Sequence, residues 1–464
     1  MIAPPPFDAE LLRRYDRPGP RYTSYPTAPQ FHSGFAEAAF RQAANVSNDD
    51  PIPRRLSLYV HVPFCFSPCF YCGCNRVITR DSARAEPYLA RLQREASMLG
   101  PQFDRDREVM QLHLGGGTPN FLTPGQIGEL LDALSCHFHF STSPARDFSI
   151  EIDPRCVNQG DIEALAFMGF NRASLGVQDF DPVVQQAVNR LQSVEQTQDV
   201  IDACRKNGFR SVNVDLIYGL PRQTPEGFGK TLDTVIGSRP DRLAIYSYAH
   251  MPQLFRPQQR INESELPSAE DKLGLLQLAI EKLSAAGYQY IGMDHFALPG
   301  DDLSKAQEAG HLHRNFMGYT THADCDLIGL GVSSISHVGD TYSQNPRDLP
   351  SWELAIDEGR LPTWRGMSLD ADDLLRAELI QQLMCHSEVD FATLEQRHEI
   401  EFEAYFRDDL DRLKALEADG LIERLPRSLR VTARGRLLLR IIAACFDRYL
   451  QQPHAEPTRF SKVI

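Results

Sequence analysis

The sequence predicts an α/β fold: an incomplete (β/α)6 TIM-like barrel with an N-terminal arm and a helical, winged-helix-like C-terminal domain. Three observations predict it. Between residues 55 and 300, short apolar runs alternate with amphipathic helical patterns. The first 54 residues are rich in proline and polar groups and have little periodicity. After Ser368 the pattern becomes mainly helical, so a further domain is expected there.

These changes in pattern divide the 464 residues into four expected segments. They are an N-terminal arm (1–54), a partial barrel (55–300), a loop-rich extension that completes the site (301–368) and a helical C-terminal cap (369–464). The arm is expected to lie extended over the rest of the protein, with one short helix near Phe35–Ala44.

In the barrel segment, strands and helices are predicted to alternate. The expected strands are Leu56–Val62, Met110–Leu114, Phe148–Ile152, Ala173–Val177, Ser211–Ile217, Arg242–Tyr248 and Tyr288–Met293. The expected helices include Ala85–Leu99, Pro124–His137, Ile162–Met168, Ser193–Asn207 and Pro225–Ser238. Such alternation implies right-handed βαβ units and a parallel sheet. Functional residues of these barrels lie at the carboxyl ends of the strands.

The C-terminal cap is expected to combine helices with a hairpin. Helices are predicted at Asp370–Met384, Phe402–Asp419 and Arg434–Leu450, and a hairpin at Leu421–Thr432 with its turn at Pro426–Ser428. Domains of this shape often bind DNA. An acidic chain with a fused barrel favours a lid instead.

The composition and charge of the chain argue against several classes of protein. A formal net charge of −14 argues against a nucleic-acid surface. The N-terminus has neither a basic start nor an apolar run of signal-peptide length, and no segment approaches the ~20 apolar residues that span a membrane. We therefore expect a cytoplasmic protein without a membrane partner. Ten cysteines in a reducing compartment do not indicate disulfides; six are scattered, and four lie within residues 65–74.

The clustered cysteines indicate a metal site. In the segment YVHVPFCFSPCFYCGCN (59–75), an expected strand leads into a C-x3-C-x2-C loop. Thiolates bind zinc, copper(I) or iron–sulfur clusters, and structural zinc normally takes four ligands. Cys74 could supply a fourth, but its C-x-C spacing suits one tetrahedral ion poorly. Our interpretation is a [4Fe–4S] cluster on Cys65, Cys69 and Cys72, with zinc or unligated buried thiols as the alternatives.

A glycine-rich segment, Gly115–Pro119, follows the second predicted strand. Glycine allows the backbone to approach a ligand closely. The alternative is a tight turn that connects this strand to the helix beginning at Pro124.

These motifs resemble two nested families. The cysteine spacing, with Phe70 in the aromatic position, resembles the signature of the radical S-adenosylmethionine (SAM) superfamily, in which a glycine-rich turn receives the amino group of SAM. Over nearly the whole chain, further segments resemble the oxygen-independent coproporphyrinogen III oxidase family. They are Pro20–Pro26, Glu151–Arg155, Leu175–Phe180, Val188–Arg190, Val214–Pro221, Tyr248–His250, Gly292–His295, Asn315–Tyr319, Gly329–Ile335, Arg434–Arg436 and Cys445–Asp447.

The resemblance implies a reaction and its cofactors. Two propionates of coproporphyrinogen III become vinyl groups with loss of carbon dioxide, giving protoporphyrinogen IX, through a SAM-derived 5'-deoxyadenosyl radical. It implies a [4Fe–4S] cluster, two SAM molecules per subunit, an electron donor and acceptor that the sequence does not identify, and a monomer.

The resemblance also implies the residues around each SAM. The first SAM is expected at Tyr59, Gly116, Glu151 and Ile335, with Tyr59 and Glu151 as catalytic residues. The second is expected at Tyr71, Gly117, Thr118, Gln178, Arg190, Asp215 and Ala249. Taken singly, Arg190 and Asp215 could instead form a structural ion pair, and Tyr59 and Ile335 could belong to the core.

The chain departs from the family at two positions, Met317 and His322, where glutamine is expected; a polar ligand contact at Met317 is therefore in doubt. The family's extra cysteine, here Cys74, is not a cluster ligand. Arg21 is the expected contact for a substrate carboxylate.

Two other functions stay open at this stage. One is a haem-binding chaperone of the paralogous radical SAM group, whose chains begin near Leu56; the arm and the second-SAM residues favour the enzyme. The other is a zinc-stabilised structural protein.

Overall fold

The apolar strands of the barrel segment pair into one mixed sheet. In the computed structural model, which describes residues 4–451 and 460–462, this sheet has 13 strands. The elements up to residue 300 are α1 (Ala9–Tyr15), α2 (Glu37–Asn48), β1 (Arg55–Val62), β2 (Phe64–Cys65), β3 (Val77–Ile78), α3 (Ala85–Leu99), β4 (Glu108–Gly116), α4 (Pro124–Ser135), β5 (His139–Phe140), β6 (Asp147–Ile152), α5 (Gln159–Phe167), β7 (Arg172–Gln178), α6 (Pro182–Ala187), α7 (Val194–Lys206), β8 (Ser211–Tyr218), α8 (Pro225–Ser238), β9 (Arg242–Ser247), α9 (Ala269–Ala285), β10 (Gln289–Gly292) and β11 (His295–Ala297).

Six strands, in the order β1-β4-β6-β7-β8-β9, run parallel. They coincide with the first six predicted strands. The predicted seventh strand, β10, runs in the same direction as β9 but does not pair with it, because β11 lies between them. β10 pairs antiparallel with β11, and β11 pairs antiparallel with β9. Only Met293 and Asp294 separate β10 from β11, and so short a connection can join only antiparallel strands.

The parallel strands alternate between two environments. In β6, Phe148, Ile150 and Ile152 are buried while the residues between them are half-exposed. β8 has the same pattern. The apolar side chains pack against the surrounding helices, and the polar ones face the inside of the barrel. The barrel interior is therefore a polar cavity rather than a filled core.

Local signals fix where the helices begin. Thr123, Ser193 and Ser268 each form a capping box at the start of α4, α7 and α9. In each box the side chain accepts a hydrogen bond from the third helical residue, which satisfies an otherwise unpaired backbone donor.

The extension 301–368 was expected to be rich in loops, and this was wrong. It contains α10 (Asp302–Glu308), β12 (His313–Asn315), β13 (Gly318–Thr320), β14 (Cys325–Leu330), β15 (Ile335–Val338), β16 (Thr341–Gln344), α11 (Leu349–Asp357) and β17 (Arg365–Ser368). β14 lies parallel to β1, and β15, β16 and β17 follow antiparallel. These strands are too short to show a clear period in the sequence, and pairing with the sheet stabilises them.

The cap has its own apolar core, which includes Leu383, Phe406 and Phe446. Its elements are α12 (Ala371–His386), β18 (Glu388–Asp390), α13 (Phe391–His398), α14 (Phe402–Tyr405), α15 (Arg407–Arg412), α16 (Lys414–Ala418), β19 (Ile422–Leu425), β20 (Ser428–Val431) and α17 (Leu439–Ala444). The predicted hairpin is present as β19 and β20. The predicted single helices at 402–419 and 434–450 were wrong, because each is broken into shorter α or 3-10 segments.

Short 3-10 helices connect many of these elements. They are Ala28–Gln30, Ser82–Arg84, Gly100–Gln102, Pro119–Phe121, Pro154–Cys156, Arg256–Arg260, Glu263–Glu265, Ala433–Leu438 and Arg448–Gln451. No helix in the described ranges is long and apolar enough to cross a bilayer.

The arm lies against the cap. The Tyr22 hydroxyl donates to Asp447 Oδ2 over 3.0 Å, and Arg440 Nε donates to the Pro20 carbonyl over 2.8 Å. Both bonds are buried. The arm also carries a helix, α1, that was not predicted.

Candidate active site

The cysteine loop leaves the carboxyl end of β1, where barrel sites are found. Arg76 organises it: its Nη1 donates to the carbonyls of Cys72 and Cys74, each over 3.2 Å. One guanidinium therefore holds the loop in a curve that directs the cysteines toward a common cavity.

Cys65, Cys69 and Cys72 line this cavity, together with Cys74 and residues from five parallel strands, β4, β6, β7, β8 and β9. We call it the cluster cavity. All ten cysteines are free thiols, so these side chains are available as ligands.

Each of the three sulfurs accepts a hydrogen bond from a different residue. Thr118 Oγ1 donates to Cys65 Sγ over 3.3 Å, Arg190 Nη1 to Cys69 Sγ over 3.6 Å, and the Cys74 N–H to Cys72 Sγ over 3.4 Å. Hydrogen bonds to cluster sulfurs are a principal means by which proteins tune iron–sulfur centres. The donors match the three expected ligands one to one.

The sulfur spacing fits a cluster better than a single ion. Thiolates about 2.3 Å from one zinc ion would lie about 3.8 Å from one another. In the described part of the chain, only His322, Asp324 and Cys325 bring three such ligand atoms within 4.8 Å of one another. The cysteines of the loop are more widely spaced, so the donor set fits a multi-iron cluster.

The local charges favour thiolate at one ligand. A hydrogen bond from the Cys74 side chain, with help from Arg76, lowers the pKa of Cys72 to about 6 despite its burial. Thiolate is the form that binds metals. Cys74 is thus hydrogen-bonded to a ligand in this structure.

The glycine-rich segment ends β4, as predicted. Gly116 has φ +115°, and a Cβ there would lie 2.6 Å from the His61 ring. A Cβ on Gly117 would lie 2.6 Å from the Pro63 carbonyl oxygen. Both glycines are therefore required by contacts within the protein, and both also line the cluster cavity.

Glu151 lies at the centre of the barrel mouth. Its Oε2 accepts a hydrogen bond from the Gly116 N–H over 3.1 Å, and its Oε1 lies 3.4 Å from His113 Nε2. Burial opposes ionisation, but these two partners outweigh it and the pKa of Glu151 is lowered. The side chain is an ionised acceptor at neutral pH.

Asp215 lies on β8 in a different environment. Asn213 donates to its Oδ1 over 2.8 Å and Ser174 to its Oδ2 over 3.0 Å. Burial, reinforced by the charge of Glu151, raises the pKa of Asp215 to about 6. Near neutral pH this carboxyl can therefore change between hydrogen-bond acceptor and donor.

Arg190 does not pair with Asp215. Its Nη2 lies 3.4 Å from Asp153 Oδ1 and donates to the Gly176 carbonyl over 2.5 Å. Asp153 is also bound by Arg155 over 2.6 Å. A Cβ on Gly176 would lie 3.1 Å from Arg190 Nη2, so this glycine makes room for the guanidinium.

The structure brings most of the expected SAM residues together. Eight of them line the cluster cavity: Tyr71, Gly116, Gly117, Thr118, Glu151, Gln178, Arg190 and Asp215. Ala249 lies beside it, because Gln258 Nε2 donates to the carbonyls of both Tyr71 and Ala249.

Tyr59 on β1 and Ile335 on β15 lie on either side of β14, at the edge of this group. Tyr59 pairs with Gly329 across β1 and β14, and a Cβ on Gly329 would lie 2.7 Å from the Ile335 carbonyl oxygen. Tyr59 stacks on His113, with ring centroids 5.8 Å apart.

The sequence argument missed several polar residues of the interior. His113, Ser149, Asn213 and Tyr246 line an inner cavity that continues the cluster cavity toward the amino ends of the strands. The two cavities share Glu151, Ser174, Asp215 and Tyr246. A signal was present: polar residues recur at every second position of these otherwise apolar strands.

The two residues that depart from the family pattern, Met317 and His322, have different surroundings. Met317 lines the inner cavity. His322 Nε2 lies 3.4 Å from Asp147 Oδ2 at the amino end of β6. Arg21 contacts Asp294, and its guanidinium lies 5.8 Å from the centroid of the Tyr246 ring.

Comparisons with known proteins agree with this geometry. The model of the radical SAM superfamily matches residues 59–235, and the model of the HemN C-terminal domain matches residues 369–438. The chain is 51% identical to the oxygen-independent coproporphyrinogen III oxidase of Pseudomonas aeruginosa, over 99% of both chains. It is 46% identical to that of Escherichia coli, over 99% of this chain and 98% of the relative. A solved structure, titled as the coproporphyrinogen III oxidase HemN from Escherichia coli, a radical SAM enzyme, superposes with a TM-score of 0.91 at 44% identity, over 96% of this chain and 100% of that chain.

Proposed function

The chain belongs to the oxygen-independent coproporphyrinogen III oxidase family of the radical SAM superfamily, and on that basis we propose how its residues carry out the reaction. It is an oxidoreductase that converts two propionates of coproporphyrinogen III to vinyl groups, giving protoporphyrinogen IX. The observation that carries the proposal is the set of three thiols, each with its own hydrogen-bond donor, in a cavity at the mouth of a parallel barrel.

The cofactors are a [4Fe–4S] cluster and SAM. Cys65, Cys69 and Cys72 are proposed to hold the cluster, and together the bound cofactors supply a radical that can abstract hydrogen from an unactivated carbon. Such a carbon has no acidic proton, so side-chain acids and bases alone achieve little there. The protein's own contribution is binding, orientation and exclusion of water.

We propose that the first SAM is bound by Gly116, Glu151, Tyr59 and Ile335, with Tyr59 and Glu151 as catalytic residues. The low pKa of Glu151 supports this, because an ionised carboxylate can accept hydrogen bonds from an ammonium or from ribose hydroxyls. The Tyr59 ring and the Ile335 side chain would form the apolar side of the adenine site.

We propose a second SAM at Tyr71, Gly117, Thr118, Gln178, Arg190, Asp215 and Ala249. Arg190 shares Asp153 with Arg155, so one acid faces two guanidinium groups and positive charge remains for a carboxylate. Asp215 has no ion pair with a described residue and faces the same cavity, where it could accept from ribose hydroxyls.

The segments of the fold are proposed to have different roles. We propose that the six β/α units form a (β/α)6 partial barrel within 55–300, that 301–368 completes the site, and that 369–464 is a winged-helix-like lid. The lid's contacts with the arm, at Pro20 and Tyr22, support a closing role over the barrel.

Arg21 is proposed to bind a substrate propionate. Its guanidinium lies near Tyr246, which lines both barrel cavities.

An anaerobic assay tests the function directly. Reconstituted protein, coproporphyrinogen III, SAM and a reductant should yield protoporphyrinogen IX with loss of carbon dioxide. Protein that holds a cluster and SAM but gives no product would contradict the proposed function. Haemin titration is the control for the chaperone alternative: tight stoichiometric haem binding without turnover would favour that alternative.

A further inference from the structure

Arg314 is a buried arginine, and two of its three guanidinium nitrogens have no hydrogen-bond partner among the described residues. It lies in β12, is only 6% exposed, and packs over the Tyr319 ring with its guanidinium carbon 4.8 Å from the centroid. Its Nε and Nη1 have no hydrogen-bond acceptor within the described residues. No described carboxylate lies within ion-pair distance of it. A buried charge in this condition is costly unless a ligand compensates it.

The basic groups near Arg314 increase the free-energy cost of burying its charge rather than reduce it. Burial is the main reason that the pKa of His295 is lowered, and the positive charge of Arg314 is the next. Arg314 likewise contributes to lowering the pKa of Arg21, after burial. Arg21 has Asp294 as its ion-pair partner, whereas Arg314 has no described acid within ion-pair distance.

Arg314 lines a cavity that is bounded by the arm, the β12–β13 hairpin and α12; we call it the arm cavity. Its two acidic residues are already paired. Asp324 is bound by Arg55 over 2.5 Å, and Glu378 by Arg397 over 2.7 Å. Ser24 lines the same cavity, and its buried Oγ also has no partner in the described chain.

We propose that Arg314, with Ser24, forms a carboxylate-binding subsite for a propionate that the porphyrin keeps through the reaction. A carboxylate can receive two parallel hydrogen bonds from one guanidinium fork, and a serine hydroxyl can donate a third. The proposal rests on the proposed function, whose substrate carries four propionates, two of which remain in the product.

The position of the subsite explains why the propionate is a retained one. The arm cavity shares no lining residue with the cluster cavity and meets the inner cavity only at Thr321. A reacting propionate must reach the region of Glu151 and Asp215. Arg314 lies between the two cavities, since it lines the arm cavity and its charge acts on His295 of the inner cavity, whereas neither Glu151 nor Asp215 lines the arm cavity.

Porphyrin titration tests this subsite independently of catalysis. The cluster-loaded protein and its Arg314→Leu variant are titrated anaerobically with two stable porphyrins, coproporphyrin III with four propionates and protoporphyrin IX with two. We expect the Kd of both to rise by about 10- to 100-fold, the loss expected for a charge-assisted hydrogen bond. Arg397→Gln, in the same cavity but at a paired and exposed arginine, should leave both Kd values unchanged.

Two further measurements separate a ligand role from a structural one. The melting temperature of Arg314→Leu should not fall, because the variant removes an uncompensated buried charge. Arg314→Lys keeps the charge but not the fork, so it should give an intermediate Kd, and it tests the subsite if the leucine variant does not fold.

Unchanged Kd values in both Arg314 variants, with wild-type protein that turns over coproporphyrinogen III, would overturn the subsite alone. A loss confined to coproporphyrin III would overturn the assignment to a retained propionate. Wild-type protein with bound cofactors and no turnover would instead contradict the proposed function.

Discussion

At the scale of single residues, the hydrogen bonds around the cysteines distinguish the three proposed ligands from the groups proposed to support them. Thr118, Arg190 and the Cys74 backbone come from different segments, and each donates to one sulfur. Cys74 belongs to the supporting groups because its backbone and side chain both hydrogen-bond to Cys72.

This division predicts the behaviour of alanine variants. Cys65→Ala, Cys69→Ala and Cys72→Ala should each lose the cluster, because three ligands leave no spare. Cys74→Ala keeps its backbone N–H and should retain the cluster. Iron and sulfide content and the visible absorbance after anaerobic reconstitution are the measurements. Loss of iron from Cys74→Ala as complete as from the other three would contradict the three-ligand assignment.

Arg190 predicts a change in SAM stoichiometry. If its guanidinium binds the carboxylate of a second SAM, Arg190→Leu should weaken that site by about 10- to 100-fold. Asp153 keeps its bond to Arg155, so the fold should survive. Equilibrium dialysis should find two SAM per wild-type protein and one in the variant, while the EPR signal of the reduced cluster still responds to SAM.

The matched control for this variant is Arg210→Leu at the other end of the barrel, where Arg210 pairs with Asp302 over 2.8 Å. It should leave both SAM sites intact. Equal stoichiometry in wild type and Arg190→Leu, with normal turnover, would argue against a second SAM at Arg190.

At the scale of secondary-structure elements, the amino ends of the barrel strands are held by ion pairs. Asp147, at the start of β6, is bound by Arg172 Nε over 2.6 Å and lies 3.4 Å from His322, which follows β13. The hairpin β12–β13 is thereby attached to the sheet. His322 contacts Asp147, an acid of the same chain, and this contact accounts for a residue other than glutamine at position 322.

The Asp147 pairs predict a dependence of stability on acid pH. Burial opposes ionisation, but the hydrogen bonds from His322 and Arg172 lower the pKa of Asp147 to about 2, below its unfolded value near 4. Its contribution, about 2 kcal/mol, is therefore complete above pH ~4 and lost as the pH falls toward ~2. Urea unfolding should show Asp147→Asn less stable at pH 7, with the difference vanishing near pH 2.

Glu226→Gln, which removes an exposed i,i+4 pair with Lys230, is the control and should change the free energy of unfolding by less than about 0.5 kcal/mol. A difference between wild type and Asp147→Asn that stays constant from pH 7 to 2 would show that Asp147 does not titrate as described.

At the scale of the whole molecule, the N-terminal arm binds the C-terminal cap. Tyr22 and Pro20 bind residues of the cap through buried hydrogen bonds, and the same stretch of arm lines the cavity that contains Arg314. The apolar core of the cap also includes arm residues such as Leu11 and barrel residues such as Leu273 and Ile291, so these polar contacts add to apolar packing that already holds the cap in place.

Tyr22→Phe tests this connection. Removing the hydroxyl takes a hydrogen bond from Asp447, a buried acid, and a bond to a charged group is worth about 1.5–3 kcal/mol. We expect a loss of that size in urea unfolding. Tyr405→Phe removes an exposed hydroxyl bonded to Asp372 and is the control, with a smaller loss. Equal losses in the two variants would mean that the arm adds nothing specific to cap stability.

The parallel strands, most barrel helices and the family could be predicted from the sequence, because they depend on strand apolarity, on the patterns of the helices and on motifs such as the cysteine spacing. The three ligands remain a prediction from that spacing. Six predicted strands are present within a few residues of their predicted bounds, and the capping boxes begin helices where they were expected.

The contacts between residues distant in the sequence could not be predicted and become visible only in the tertiary structure. Arg190 pairs with Asp153 and not with Asp215, His322 reaches Asp147, and strands β14 to β17 form by pairing with the barrel sheet. Arg314 looks like any polar residue of a short strand in the sequence. Its isolation from acids becomes visible only when the arm, the hairpin and α12 enclose it, because charge compensation depends on distances in space and not along the chain.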